Sequence, residues 1–339
     1  MYRDKRGTPY AEREIHTIVG SPDDKSNWIY RVGYTGPRVR EVDIESPRSN
    51  EPPVTVVQLS DFHLNRLNEK DWEEQNPTLM STYEHRQWLR DGTSVGVALN
   101  ALAYADAVGD QTVITGDVLD YLAHGTIELM NEFVWGRYPN VIVAAGNHDW
   151  CQQMEGLVPE SLSGKERKAW LEKVWEPHHG LYYTSRIIKN KVMVIQLENG
   201  NGHFWDCQIE PLISDLTLAR ENYYTVLIFA HIPLWTNNPE TECVTPLTPV
   251  ADKPSLNLYS GPGLIGLNPE SGSATETVYN LIINNADVIK GVFTGHRHCD
   301  LSADMIAYTP DGQKTTIPQY VMTTNGVDPF GAAIKITVK

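Results

Sequence analysis

Apolar residues fall along this chain in short unbroken runs, each bounded by polar turn residues. Val54-Thr55-Val56-Val57-Gln58-Leu59 and Val192-Met193-Val194-Ile195-Gln196-Leu197 are examples, both rich in β-branched residues. Runs of this length and composition read as strands buried on both faces. The pattern predicts strands over 54–59, 113–115, 141–145, 192–197, 225–230, 288–294, 318–323 and 332–338. Between them, longer segments predict helices over 93–108, 125–135, 165–175, 209–221 and 275–285. Strands that alternate with helices in this way define an α/β protein whose sheet is covered on its faces.

Residues 1–53 have a different texture. They are polar with broken alternation (Trp28, Tyr30, Val32, Tyr34, then Val42 and Ile44), and Pro52-Pro53 closes them. The expectation is a β-rich extension over 1–53 followed by one domain over 54–339. Two segments interrupt that domain. Residues 64–92 carry Trp72, Tyr83, His85 and Trp88 among many charges, and residues 232–274 are dense in Pro, Gly, Asn and Thr. Structureless connections this long tend to be functional. The second is expected to form a wall or lid that selects the substrate, with the first on the opposite side.

Composition narrows the class of function. Of 339 residues, 41% are hydrophobic and 21% charged, which suits a folded globular protein. The formal net charge of −15 argues against nucleic acid or an anionic membrane as a partner. Cys151, Cys207, Cys243 and Cys299 form no CxxC pair, so packed, reduced thiols are expected rather than a disulfide framework or a structural zinc site. The first twenty residues lack an apolar core and no run of apolar residues is long enough to span a bilayer, so a cytoplasmic location is the default expectation.

The chemistry collects at strand ends. Asp61-Phe62-His63, Gly116-Asp117-Val118-Leu119-Asp120, Gly146-Asn147-His148-Asp149, His231-Ile232-Pro233 and Gly295-His296-Arg297-His298 each follow a predicted strand. Open α/β sheets bind ligands outside the carboxyl ends of their strands. Any one of these motifs alone is compatible with an ordinary polar turn, since Gly, Asn and Asp dominate turns. Yet five of the chain's 11 histidines fall within them. Two carboxylates, an amide and four imidazoles are enough for two borderline cations that share one bridge. An oxygen-only calcium site would not need the histidines, and a single zinc would need fewer ligands.

The ordered series Asp-x-His, Gly-Asp-x-x-Asp, Gly-Asn-His-Asp, His, Gly-His-x-His resembles the calcineurin-like metallophosphoesterases over about residues 54–298. The resemblance implies an α/β fold of two mixed sheets packed face to face with helices outside. It implies that Asp61, His63 and His298 bind a first metal, that Asn147, His231 and His296 bind a second, and that Asp117 bridges them. His148 would face the substrate and Asp120 would orient it, while Asp149 supports the loop. Two divalent ions (Mn, Fe or Zn) against two aspartates leave the pocket positive, able to hold a hydroxide between the metals and a small phosphorylated substrate despite the acidic surface. His148 would steady the phosphoryl oxygens or protonate the leaving group.

One departure narrows the branch. Protein phosphatases of this superfamily follow Gly-Asp-x-x-Asp with Arg-Gly, whereas Tyr121-Leu122 stands here. The reading is therefore a hydrolase of small phosphomonoesters or phosphodiesters. A nuclease on the same chemistry is the alternative, opposed by the net charge. A non-catalytic scaffold is opposed by the complete ligand set. His124, His178, His179 and His203 are expected to serve packing or surface roles.

Overall fold

A computed structural model describes residues 14–15, 30–32, 37–86, 93–150, 164–236, 238, 273–326 and 331–339. In chain order the strands are β1 (Glu14–Ile15), β2 (Tyr30–Val32), β3 (Arg38–Ile44), β4 (Val54–Leu59), β5 (Gln111–Thr115), β6 (Ile142–Ala144), β7 (Tyr183–Ile188), β8 (Val192–Leu197), β9 (Thr225–Phe229), β10 (Ile289–Thr294), β11 (Leu301–Tyr308), β12 (Lys314–Val321) and β13 (Ala332–Val338). The helices are α1 (Glu69–Glu74), α2 (Pro77–His85), α3 (Thr93–Val108), α4 (His124–Leu129), α5 (Gly164–Trp175), α6 (Ile209–Glu221) and α7 (Ala274–Ile283). A π-helical turn, Met130–Trp135, extends α4.

Two mixed sheets carry the fold. The first runs β3-β13-β4-β5-β6 and the second β11-β12-β10-β9-β8-β7, while β1 and β2 pair separately. In the first sheet β4, β5 and β6 are parallel, and β13 enters antiparallel to β4. In the second, β8, β9, β10 and β12 are parallel, with β7 and β11 antiparallel at the edges. Arg38–Ile44, ahead of the Pro52-Pro53 pair, pairs in parallel with β13 as an edge strand.

Alternation within the strands builds four layers. Val54 and Val56 point between the sheets, against Val194, Leu227, Phe229 and Phe293. Val57 and Leu59 on the opposite face of β4 pack under α3 and α4 with Ala101, Leu102 and Leu129. The outer face of the second sheet is covered by α6 and α7 through Leu212, Leu216, Val278 and Ile282. The central parallel strands β4, β5, β6, β8, β9 and β10 are thus buried on both sides, which is why their sequences are near-continuous apolar runs.

The sequence pattern passed over β7 and β11. Their burial alternates, and β11 places alanines at two of its inward positions, so its apolar signal is weak. β12 begins four residues earlier than predicted. Pro318 lies inside it opposite Asp304 of β11, but pairing with β10 begins only at Gln319, so the missing N–H interrupts no ladder on that side. The segment 64–86 is not structureless. Asn68 caps α1 in a capping box with Asp71, and Asn76 with Pro77 starts α2. Residues 87–92 and most of the 232–274 segment, and with them the expected lid, lie outside the described residues.

The exposed side of edge strand β6 is closed by side chains. Val143 donates its N–H to His179 Nε2 at 2.9 Å, and Trp175 Nε1 donates to the Val143 carbonyl at 3.0 Å. His178 stacks on Trp135 with centroids 3.9 Å apart. Burial, aided by His178 and Arg186, pushes the His179 imidazole down to about 4. Its unfolded value is near 6.5, so stability is full above that pH and is lost as pH falls toward 4. His179→Gln is expected to flatten this part of the stability–pH curve, which amounts to on the order of 2 kcal/mol. Urea titrations between pH 4 and 7 check this, and an unaltered slope in the variant would remove His179 as its cause.

Candidate metal centre

All five strand-end motifs converge on one end of the sandwich. β4, β5 and β6 of the first sheet deliver Asp61, His63, Asp117, Asp120, Asn147 and His148. β9 and β10 of the second deliver His231, His296 and His298. Of these, Asp61, His63, Asp117, Asp120, Asn147, His148 and His231 are buried, whereas His296 is partly exposed and His298 exposed. The cluster therefore opens to solvent along the Gly295–His298 turn.

The side chains form three groups: one of His63, Asp120 and His148, and two that share Asp117. In one, atoms of Asp61, His63, Asp117 and His298 lie within 4.8 Å of one another; in the other, atoms of Asp117, His231 and His296 do. His63 Nε2 and His298 Nε2 are 3.0 Å apart, and His298 Nε2 is 3.2 Å from Asp61 Oδ1. His231 Nε2 lies 3.3 Å from Asp117 Oδ2 and 3.0 Å from Asn147 Oδ1, and His296 Nδ1 lies 2.8 Å from the same Asn147 oxygen.

Tautomers follow from the far side of each ring. His231 Nδ1 is 2.7 Å from the carbonyl of Thr115, which can only accept, so Nδ1 carries the proton and Nε2 of the neutral ring presents a lone pair. His63 Nδ1 faces the Asp120 carboxylate at 3.2 Å, which likewise leaves Nε2 bare toward the cluster. Imidazole lone pairs, two carboxylates and an amide oxygen thus point at one another about 3 Å apart. Donors around one ion with bonds of about 2.1 Å stand roughly 3.0–3.4 Å apart, so the spacing and the N/O donor set both fit divalent transition metals. Protons respond to the same crowding. Burial opposes charge on His231, yet the adjacent Asp117 carboxylate raises that imidazole to about 9. Burial and the neighbouring His231 push His296 down to about 3. Burial alone would raise Asp117, but His231 and His148 hold it well below the carboxylate range.

The backbone at the site is strained. Asp61, His63, Asp117, His296 and His298 all have positive φ, between 48° and 69°. Such conformations cost of order 1–3 kcal/mol each and gather at functional sites. Gly116 has φ of +90°, and a Cβ there would strike the His231 ring; a Cβ at Gly146 would strike the Asp117 carboxylate. A clamp from the chain's C-terminal part holds the Asp61 turn. Thr324 Oγ1 and the Gly326 N–H donate to the Asp61 carbonyl at 2.8 Å each, and Asn325 Nδ2 donates to the Ser60 carbonyl at 3.0 Å. Beneath it, Gln58 donates to Thr115 Oγ1 at 2.9 Å, Thr115 Oγ1 to Ser60 Oγ at 2.8 Å, and Ser60 Oγ to Asp61.

Asp120 meets two histidines. Its carboxylate holds His63 and is gripped by Arg86 and Asn65, while its backbone carbonyl, 2.7 Å away, accepts from His148 Nδ1. The carboxylate stands 3.6 Å from that same nitrogen. His148 Nε2 is therefore the free end of the ring. Asp149 accepts the N–H groups of Gly146 at 2.7 Å and Leu119 at 2.9 Å, tying together the second and third motif loops. His124, His178, His179 and His203 stand apart from the cluster; His124 pairs with Glu74, and His203 sits against Trp205. Cys207 and Cys299 are free thiols, and Cys151 and Cys243 lie outside the described residues. No helix among the described residues is long and apolar enough to cross a membrane.

The sequence pattern missed Asn199. Its Oδ1 accepts the N–H groups of His231 and Ile232 at 3.0 and 2.9 Å, and its Nδ2 donates to the Ile232 carbonyl at 2.8 Å. The signal was present: Asn199-Gly200 follows β8 as a polar turn, at the same end as the other motifs.

The calcineurin-like phosphoesterase family pattern matches residues 54–300, and the chain belongs to that family, whose members are phosphoric ester hydrolases. Comparison with curated proteins finds no match. Among solved structures, a dimetal phosphatase from Danio rerio is similar at 13% identity, with a TM-score of 0.44, over 84% of this chain and 91% of that one. The phosphopantetheinyl hydrolase PptH from Mycobacterium tuberculosis is similar at 11% identity and a TM-score of 0.43, over 81% and 90%. The purple acid phosphatase PPD1 from yellow lupin is similar at 12% identity and a TM-score of 0.45, over 86% of this chain and 45% of that one.

Asn199→Ala leaves two buried N–H groups and a carbonyl without their partner, each costing about 1–3 kcal/mol. The expected result is a loss of roughly 2–4 kcal/mol by urea denaturation, with Asn199→Asp recovering part of it. A variant as stable as the parent would show that the His231 turn does not depend on this side chain.

Proposed function

We propose that the chain is a dinuclear-metal hydrolase of small phosphate esters. The observation that carries this reading is the convergence of two imidazole groups on the single buried carboxylate of Asp117. Asp61, His63 and His298 would hold one ion and Asn147, His231 and His296 the other, with Asp117 between them. When bound, the ions would supply Lewis-acid stabilisation of the phosphoryl oxygens and lower the pKa of a bound water. The preference among Mn, Fe and Zn belongs to the same proposal.

The chain's own residues do the rest. With Nδ1–H donated to the Asp120 carbonyl, the His148 ring is anchored and Nε2 is left as the nitrogen that would face the phosphate. Its ring stands edge-on to His63 at 4.6 Å. From there it can steady a phosphoryl oxygen or pass a proton to the leaving group. The phosphate would enter past His296 and His298, on the open side. The Tyr121 hydroxyl donates to Asn65 at 2.7 Å and the residue is fully buried, so the position after Asp120 offers substrate no cation. This favours small esters over phosphoserine or phosphothreonine peptides.

Elemental analysis alongside hydrolysis of paired chromogenic monoester and diester substrates tests the proposal. Two ions per chain and turnover of at least one substrate are expected; a metal-free protein inert on both would overturn it. Asp117→Asn should lose both ions together, and two tightly held ions in that variant would refute the bridge. His148→Ala should keep both ions while turnover falls by roughly 10²–10⁴. An undiminished rate on a substrate with a poor leaving group would take His148 out of the reaction.

A further inference from the structure

Arg86 lies just after α2, in the segment between the first and second motifs, and its side chain is only 13% exposed. Its guanidinium grips both oxygens of Asp120, with Nε 2.8 Å from Oδ2 and 3.1 Å from Oδ1 and Nη2 against Oδ1. Asp120 is fully buried. The same carboxylate accepts from Asn65 Nδ2 at 2.9 Å, and Asn65 accepts from the Tyr121 hydroxyl at 2.7 Å. On its remaining side stands His63 Nδ1 at 3.2 Å.

We propose that Arg86 is a positioning residue for the metal centre: through Asp120 it fixes the tautomer and aim of His63, which links the α1–α2 segment to the first metal. The inference rests on the metal assignment proposed above. The physical case has three parts. A carboxylate behind a metal-binding imidazole sets which nitrogen is bare and how the ring is turned. A carboxylate can swing about its Cβ–Cγ bond, and a planar two-pronged guanidinium removes that freedom where a point charge does not. Arg86 also sets a positive charge against a fully buried carboxylate, so the acceptor that faces His63 Nδ1 has a fixed partner on its other side.

Arg86 is thus not a substitute for the phosphate-gripping arginine of the protein phosphatase branch, because its fork is engaged by Asp120. A purely structural role, anchoring α2 to the body of the domain, makes a different forecast. It predicts lost stability with no selective change at one metal. By reciprocity of linked equilibria, metal binding at the first position should in turn tighten α2.

The test uses protein loaded with manganese and exposed to graded EDTA, with manganese per chain read by elemental analysis. Arg86→Lys keeps the charge and is the variant expected to stay folded. It should release one ion at roughly 10–100-fold lower chelator than the parent, with the second ion held as before. Arg86→Ala should show the same selective loss, and millimolar guanidinium should reverse it. In an Asp120→Asn background, Arg86→Lys should add nothing. Amides of α2 should exchange hydrogen faster once manganese is stripped from the parent. Parent-like retention of both ions in Arg86→Lys, simultaneous release of both, an additive effect on Asp120→Asn, or α2 exchange indifferent to metal would each overturn the proposal. A parent that holds no manganese would instead overturn the metal assignment, whereas two ions in the parent with an unselective Arg86 variant would overturn only the role of Arg86.

Discussion

One buried carboxylate stands against two groups of imidazoles. Asp117 Oδ1 accepts the His148 N–H at 2.9 Å, and Oδ2 faces His231 at 3.3 Å and His63 at 3.9 Å. A burial of this kind is unfavourable unless positive charge lies between the groups. His231 and His63 each have the outer nitrogen anchored, so that the inner nitrogen of the neutral ring would be free to take a cation there. The fold works to keep these atoms near one another against their own preference for water.

The backbone pays its share in conformation. Five of the seven proposed donors occupy the left-handed region. Asp tolerates that region better than most residues, and His is also enriched there. Hydrogen bonds support these turns, beside the apolar packing of Phe62, Leu64 and Val118. Thr324, Asn325 and Gly326 clamp the Asp61 turn, Asp149 ties the loops after β5 and β6, and Asn199 holds the His231 turn. Strain concentrated at the reactive end, above an apolar and well-paired sandwich, is the distribution expected of a site that is pre-organised rather than assembled on demand.

How much of this was legible in the sequence follows from the same division. The central parallel strands announced themselves because burial on both faces makes a near-continuous apolar run, and the five motifs were found because they interrupt those runs at one end. β7 and β11 escaped because an edge strand alternates, and alanine dilutes the alternation in β11. The short helices α1 and α2 carried capping signals at Asn68 and Asn76 but too few apolar positions for a periodic one. Each residue that converges at this end could be named from its motif. Several supports could not: Asn199, Asn325 and Arg86 are 32, 265 and 34 positions from the groups they hold. Nothing local marks such a residue, since its partner is chosen by topology. Asp120 is the instructive case, because its motif position suggested His148 while its carboxylate serves His63.

The division of donors between the sheets has a consequence for the whole domain. Asp61, His63, Asp117 and Asn147 rise from the first sheet, and His231, His296 and His298 from the second. Each proposed metal therefore draws ligands from both layers. The protein already joins the layers here with polar contacts: Gln58 of β4 donates to the Thr294 carbonyl of β10 at 2.8 Å, and His231 reaches across to Thr115 at 2.7 Å. Between the sheets the core of the interface is apolar side chains, which fix a spacing but not a register, and further polar contacts lie at its edges, Arg186 to Gln111 and Arg40 to the Leu301 carbonyl. The polar contacts are directional, so they set how the two halves of the site meet. Ions bound across the same seam would act in the same sense, favouring the folded sandwich by their binding free energy. A metal centre at the open end of this interface would thus let one set of residues do two jobs: it would align the sheets and create the field in which a phosphate could be held on an otherwise acidic protein.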